Sequence, residues 1–371
     1  MHIRFWVVLS FLVVTTCLLA GSAAGQVVIT DLGTLEGDLA SRAAAINASG
    51  QVVGRSLPHV GEHAFLWEGG TMSGLAPLSG CPSAAYGIND AGHVVGWAEA
   101  DGGSRRGFIY TGDEIIPLGT LGGPTSTAYG INNLGQVAGS SDLDGGGMGA
   151  FLWDNYTMTG LATLGGAYTE AYAVNDAGQV VGHSDTGHGS HACLWYDDSV
   201  TDLGTLGGRW SFARAINDAG QVVGYSDKGL LDGAAFLWQD GAMTDLGTLG
   251  GWWAQANGIN DDGVIVGTSH TGLTDEAGDP IVHAFIYDDG AMSDLNDVLA
   301  EGCGWELLAA TGINDAGQIV GWGTHGGDLR GFLLAMSGGA PDAAPIVPEP
   351  STVLLIVLGA LGLTLKKRRR R

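Results

Sequence analysis

Basic residues are scarce in this chain. Its 371 residues include 15 Lys and Arg against 39 Asp and Glu, a formal net charge of −24. Charged residues of both signs make up only 15 %, against roughly 25 % in an ordinary soluble domain. A body this acidic repels nucleic-acid phosphates, so no nucleic-acid partner is expected. Cysteine is rare as well, with four residues, too few for a densely stapled secreted scaffold. No Ser/His/Asp triad pattern, phosphate-binding loop or zinc motif is present in the sequence. Glycine, in contrast, is abundant at 65 residues. It lacks a three-residue period, which excludes collagen. A hydrophobic share of 45 % excludes a disordered polyelectrolyte. The balance favours a β-rich, turn-rich exported protein.

Both ends read as address labels. Arg4 supplies a positive start, Phe5 to Ala20 an apolar run, and Gly21-Ser22-Ala23-Ala24-Gly25 the small residues of a cleavage site. Residues 1–25 are therefore expected to be a secretory signal removed by signal peptidase. At the other end, Pro348-Glu349-Pro350 precedes an apolar stretch and six terminal basic residues, Lys366 to Arg371. Ser351 to Leu365 spans only about 22 Å as a helix, short for a bilayer core of roughly 30 Å. A short transmembrane helix with a cytoplasmic basic end is expected, touching the inner membrane transiently.

This tail, residues 348–371, resembles the PEP-CTERM sorting signal of Gram-negative bacteria. The resemblance implies recognition by an exosortase-type transpeptidase, cleavage near Pro348-Glu349-Pro350, and delivery to the cell surface or extracellular matrix. A plain C-terminal anchor is the alternative. Removing both ends leaves 8 basic residues against 38 acidic ones over 26–347, a net charge of −30.

Between the ends the chain repeats itself. Asn-x-x-Gly-x-x-x-Gly units begin at Ile46, Ile88, Ile131, Val174, Ile216, Ile259 and Ile313, at intervals of 42, 43, 43, 42, 43 and 54 residues. Phe-Leu-Trp-like runs and Asp-Leu-Gly-Thr-Leu-like runs recur equally often. Each unit reads as four short strands: a small-residue strand a, an Asn-Gly turn, a Val-Val strand b, a Phe-Leu-Trp strand c and a strand d. Alternation puts Phe and Trp on one face of strand c and Leu on the other, so both faces need cover. Four-stranded units covered on both sides predict an all-β, seven-bladed β-propeller over 26–335, followed by a linker at 336–347. The repeat starts with a lone strand d, Asp31 to Leu35, and ends on a blade without one. The N-terminal strand is therefore expected to close the ring.

The repeat also resembles the HAF family of bacterial extracellular repeats, through His63-Ala64-Phe65, His283-Ala284-Phe285 and the variant His191-Ala192-Cys193. That resemblance implies an extracellular repeat protein and no particular chemistry.

The recurrent Asn residues are expected to be structural, required by their turns. Asn and Asp oxygens suit Ca²⁺, but a single turn carries too few carboxylates, so no cofactor or metal is expected. The variable rim holds better candidates. Tyr168, Trp210, Trp252, Trp253 and Trp305 follow strand d, and Trp97, Tyr225 and Trp322 follow strand b. Aromatic faces there can stack on sugars, or simply shield the blade tops. The 54-residue interval adds acidic Asp275, Glu276, Asp279 and Glu301 to the same rim. Cys193 takes the place of the core Phe in its unit, while Cys81 and Cys303 leave a disulfide open. The reading is a non-enzymatic surface or matrix protein binding an extracellular partner such as polysaccharide. The alternatives are a polysaccharide hydrolase or lyase, which needs two carboxylates across a cleft, and a purely structural matrix component.

Overall fold

Small residues in strand a let the strands crowd an axis, and the Val-Val and Phe-Leu-Trp strands carry the apolar bulk outward. The computed structural model describes residues 27–336 apart from 60, 76–77, 79–80, 101 and 230–231. Seven four-stranded antiparallel sheets form the blades of a propeller. Blades 1 to 6 cover 40–74, 83–117, 122–160, 169–204, 211–247 and 254–294. Blade 7 takes strands a to c from 305–336 and its outermost strand from Val27–Asp31. Strand a of each blade packs on strand a of the next, and Trp305–Ile313 returns to Ala40–Ile46 to complete the ring. The expected signal peptide, the C-terminal helix and Pro348-Glu349-Pro350 lie outside the described residues. Among the described residues no helix is long and apolar enough to cross a membrane.

Closure happens as the repeat phase predicts, with a shifted boundary. Val27 pairs with Met336 and Asp31 with Phe332. The closing strand is Val27–Asp31 rather than Asp31 to Leu35. The reason is the Asp31 carboxylate, which accepts from the backbone N–H of Gly33 at 2.8 Å and turns the chain out of the sheet. Gly33 sits at φ 73°, in the left-handed region. Asp202 and Asp245 accept in the same way from Gly204 and Gly247, the last residues of their strands.

Seven apolar clusters fill the seven gaps between blades, so no one core dominates. In blade 3, Val137, Phe151 and Trp153 face blade 2 and meet Val95 and Ile109. Ala138 and Leu152 face blade 4 and meet Ala171 and Cys193. The alternation of strand c is the one expected. Each buried Phe side chain contributes about 2–3 kcal/mol. Cys193 is fully buried in the Phe position of blade 4, and burial pushes its thiol pKa up.

The glycine after Val-Val has a reason that the sequence reading did not find. Strand a bulges opposite it, between Ala128 and Gly130 in blade 3. A Cβ on Gly139 would lie 2.2 Å from the Thr127 carbonyl oxygen and 2.5 Å from Cζ of Phe151. The same bulge recurs in every blade.

The recurrent Asn does more than shape its turn. Asn132 Oδ1 accepts from Gln136 N at 2.8 Å, while Nδ2 donates to the Asn175 carbonyl of the next blade at 2.9 Å. Asn47, Asn89, Asn175, Asn217 and Asn260 repeat that donation in sequence order. Asn314 donates to Asn47 O at 3.0 Å and closes the circle. All seven amides are buried.

The 54-residue interval is used in two places. It lengthens the b–c hairpin of blade 6, Ile265–Thr274 and Pro280–Asp288. It also inserts a 3-10 helix, Leu295–Val298, capped by the Asp294 side chain through Asn296 N. Leu295 fills the gap between blades 6 and 7.

Candidate ligand-binding site on the variable rim and axis

The connections from strand d to the next strand a build the variable rim, and hydrogen bonds hold them rigid. Between blades 4 and 5, Leu206 N donates to Ser226 Oγ at 2.8 Å, and Thr205 Oγ1 donates to Gly208 O at 3.1 Å. The buried Asp227 carboxylate accepts from Arg209 N at 3.0 Å and from Trp210 N at 2.8 Å. Trp210 is thereby fixed at its backbone and remains 48 % exposed. Tyr168 stands at the equivalent place one blade earlier and is 56 % exposed. One blade later the position falls to Trp253, and the adjacent Trp252 is the exposed ring, at 52 %. Trp252 meets His270 edge-on at 4.3 Å and borders a cleft of about 520 Å³ with Lys228, Asp232 and Thr248. Three successive blade junctions therefore each present one exposed aromatic.

The other five sequence candidates are buried or partly buried. Trp97, Tyr225 and Trp322 fall inside strand b of their blades, Val94–Glu99, Val222–Asp227 and Gln318–His325, rather than in the loops that follow. Trp97 is 3 % exposed, covered by the Arg105 guanidinium 4.1 Å from its ring, with Nε1 donating to Tyr86 Oη at 3.3 Å. Trp305 opens strand a of blade 7 and stacks flat on His325 at 4.5 Å. Trp253 bridges Tyr225 at 6.1 Å and His270 at 5.5 Å.

These inner aromatics join a belt that loop-centred reasoning missed. Tyr86, Tyr129 and Tyr172 occupy one position in strand a of blades 2, 3 and 4, and their rings touch in series at 5.5 and 5.2 Å. Tyr172 stacks on His183, His183 meets Phe212 edge-on, and Phe212 stacks on Tyr225. The signal was available: three residues before each repeated Asn, the chain reads Ala44, Tyr86, Tyr129, Tyr172, Arg214, Asn257 and Thr311. That position varies amid uniform small neighbours. It lines the partly exposed side of strand a, while the intervening alanines are buried between blades.

Burial keeps this belt electrically neutral. It pushes the Tyr129 phenol up to about 12 and raises Tyr172 further, with Tyr172 Oη donating to the Glu170 carboxylate. Burial also lowers the His183 pKa, and its Nδ1 has no hydrogen-bond partner.

The remaining candidates are structural in detail. Asp275 Oδ1 accepts from Ala277 N and Asp279 N at 2.9 Å each, shaping its own hairpin turn. At the opposite mouth of the axis the Asn turns enclose a cavity of about 250 Å³. Among the described residues, no group of three or more His, Cys, Asp or Glu side chains is placed to hold a metal ion. Cys81 and Cys303 are separate free thiols.

Comparison with known proteins adds one assignment. Residues 347–370 match the PEP-CTERM protein-sorting motif. The chain thus carries the signal of an exported protein processed by an exosortase-type system and held transiently at the membrane. No curated protein matches the chain in sequence. Among solved structures, the β-propeller domain of the Trilobed protease from Pyrococcus furiosus is similar at a TM-score of 0.52 and 11 % identity, covering 82 % of this chain and 99 % of that one. That domain is described as having an open velcro topology, whereas Val27–Asp31 closes blade 7 here. A puromycin-hydrolyzing peptidase from Mycobacterium tuberculosis aligns at TM-score 0.46 and 12 % identity, over 84 % of this chain and 57 % of that one. TolB from Acinetobacter baumannii aligns at 0.43 and 14 %, over 62 % of this chain and 61 % of that one. The match to the protease domain supports the propeller fold and nothing further.

Proposed function

We propose that this protein is displayed on the cell surface or in the extracellular matrix, where its variable rim binds polysaccharide. The observation that carries the reading is the set of exposed rings at three successive blade junctions, Tyr168, Trp210 and Trp252. Exposed aromatics on a rigid backbone offer stacking faces to pyranose rings at low entropic cost. Their repetition at blade spacing suits an extended polymer that touches several sugars in turn. The HAF-type reading of the repeats agrees with an extracellular role. The tail motif supplies the export route, through an exosortase-type transpeptidase. A glycan array probed with the full chain and with the triple variant Tyr168→Ala, Trp210→Ala, Trp252→Ala tests it. Saturable binding that the triple variant loses is the expected result. Equal binding by both proteins removes the rim from the account.

A further inference from the structure

Three of the eight basic residues between 26 and 347 lie in the two inner strands of their blades: Arg42 and Arg214 in strand a and Arg55 in strand b. Arg42 in Ala40–Ile46 and Arg55 in Val52–Leu57 stand directly opposite one another in register. Like charges in that relation are destabilising, and this body has 38 acidic side chains from which a partner could have been drawn. Glu62 reaches Arg55 at 3.2 Å. Arg42 has no ion pair among the described residues, and its Nε has no hydrogen-bond partner. Its guanidinium lies 4.4 Å from the Trp322 ring of blade 7. Burial and the neighbouring Arg55 lower the Arg42 pKa, and the Glu62 carboxylate, already engaged by Arg55, opposes them only in part.

A second stacked guanidinium lies in strand a of blade 5, near Glu170. Arg214 lies 4.4 Å from the Tyr172 ring, and its Nε is again unpartnered. Beside it, about nine-tenths buried, is His183 with its free Nδ1. An unpaired, half-buried guanidinium is costly, and an anion arriving from outside offsets that cost.

We propose that the inner strands of blade 1 receive the carboxylate of an acidic saccharide, with Arg42 and Arg55 as its principal anchoring pair. The proposal rests on the saccharide reading above and adds the charge class of the sugar. The guanidinium fork matches a planar carboxylate in a two-point contact. The body's net negative charge is screened beyond about 8 Å at physiological ionic strength, so recognition by this pair is local and reads one acidic sugar of the saccharide.

The test is calorimetric titration of the full chain in detergent with tetragalacturonate and with its fully methyl-esterified form, which removes the charge and keeps the ring. Tetragalacturonate is expected to bind at least about tenfold more tightly than the ester. Arg42→Gln should weaken the acid by about 10- to 100-fold, the usual effect of losing a charged hydrogen-bonded contact, and leave the ester unchanged. Arg42→Lys keeps the charge without the fork and should give an intermediate loss; it decides the matter if the Gln variant does not fold. Equal binding of acid and ester overturns the proposal, as does an acid affinity indifferent to the Arg42 variants. If neutral polysaccharides bind and tetragalacturonate does not, this inference alone fails. If no saccharide of either kind binds, the reading beneath it fails as well.

Discussion

Replacing Asn132 distinguishes a turn residue from a link in a ring. The side chain is 4 % exposed. Its Oδ1 accepts from Gln136 N at 2.8 Å and from Leu134 N at 3.1 Å. Its Nδ2 donates to Gln136 Oε1 at 2.8 Å and to Asn175 O, one blade away, at 2.9 Å. Each such bond contributes about 0.5–1.5 kcal/mol net, and a buried group left unpaired costs about 1–3 kcal/mol. Because the bonds share one side chain they are not additive, and Asn132→Ala should cost about 2–4 kcal/mol. Asn132→Asp is the sharper variant. Aspartate shapes such a turn as well as asparagine does, so a purely local role predicts near-neutrality. The ring predicts otherwise, because a carboxylate oxygen would then face the buried Asn175 carbonyl. Asn132→Asp should therefore cost at least as much as Asn132→Ala, while Leu134→Ala in the same turn, 69 % exposed, should cost less than about 1 kcal/mol. Denaturant unfolding followed by near-ultraviolet circular dichroism reads all three. A neutral Asn132→Asp would refute the inter-blade role.

Three further outcomes follow from the geometry. Gly139→Ala places a methyl group 2.2 Å from the Thr127 carbonyl and should destabilise by about 2 kcal/mol or more through overpacking, whereas Gly135→Ala, at φ 82° with open space around it, should cost only about 1 kcal/mol; denaturant midpoints compare them. The hydrogen bond that His283 donates to the Asp294 carboxylate raises the His283 pKa, and although burial works against it, the His283 and Asn296 contacts bring Asp294 below its usual value. The His283 contribution is full below the ordinary histidine range and is lost as pH rises through the raised pKa, while that of Asp294 is lost on acidification. Wild type and His283→Gln should thus differ most at mildly acidic pH and converge above the raised pKa, and a pH-independent difference in melting temperature would contradict the pairing. Ile29→Ala in the closing strand, where Ile29 is 4 % exposed, should cost about 2–4 kcal/mol, as for any buried aliphatic truncation; a loss under about 0.5 kcal/mol would mean the ring does not depend on that strand.

Much of the architecture was readable because a propeller repeats its local rules. The phase of the copies located the closing strand, and the Phe-Leu-Trp alternation assigned both faces of strand c. What escaped involves contacts between units. Nothing within a single copy reveals that Asn132 donates to Asn175, or that Gly139 faces a bulged carbonyl. The end of strand d was misjudged because Asp31 caps its own turn four residues earlier than the apolar pattern suggests. Of the site candidates, Tyr168, Trp210 and Trp252 were legible as rim residues. Trp97, Tyr225 and Trp322 look like loop aromatics in sequence because the Val-Val run marks only the start of strand b. Tyr172, Arg42 and Arg214 do not stand out where strand a is described only by its small residues. Chemistry in a repeat concentrates where one position differs from copy to copy while its neighbours do not.

Binding of an extracellular polysaccharide by the rim aromatics is what we propose. Its most direct measurement is affinity electrophoresis of the full chain through gels containing exopolysaccharide, alongside the Tyr168, Trp210 and Trp252 triple alanine variant and the buried-belt variant Tyr129→Phe. The account predicts retardation of the wild type and of Tyr129→Phe, with mobility restored in the triple variant. Equal retardation of the triple variant, or none for the wild type with any polysaccharide, would contradict it.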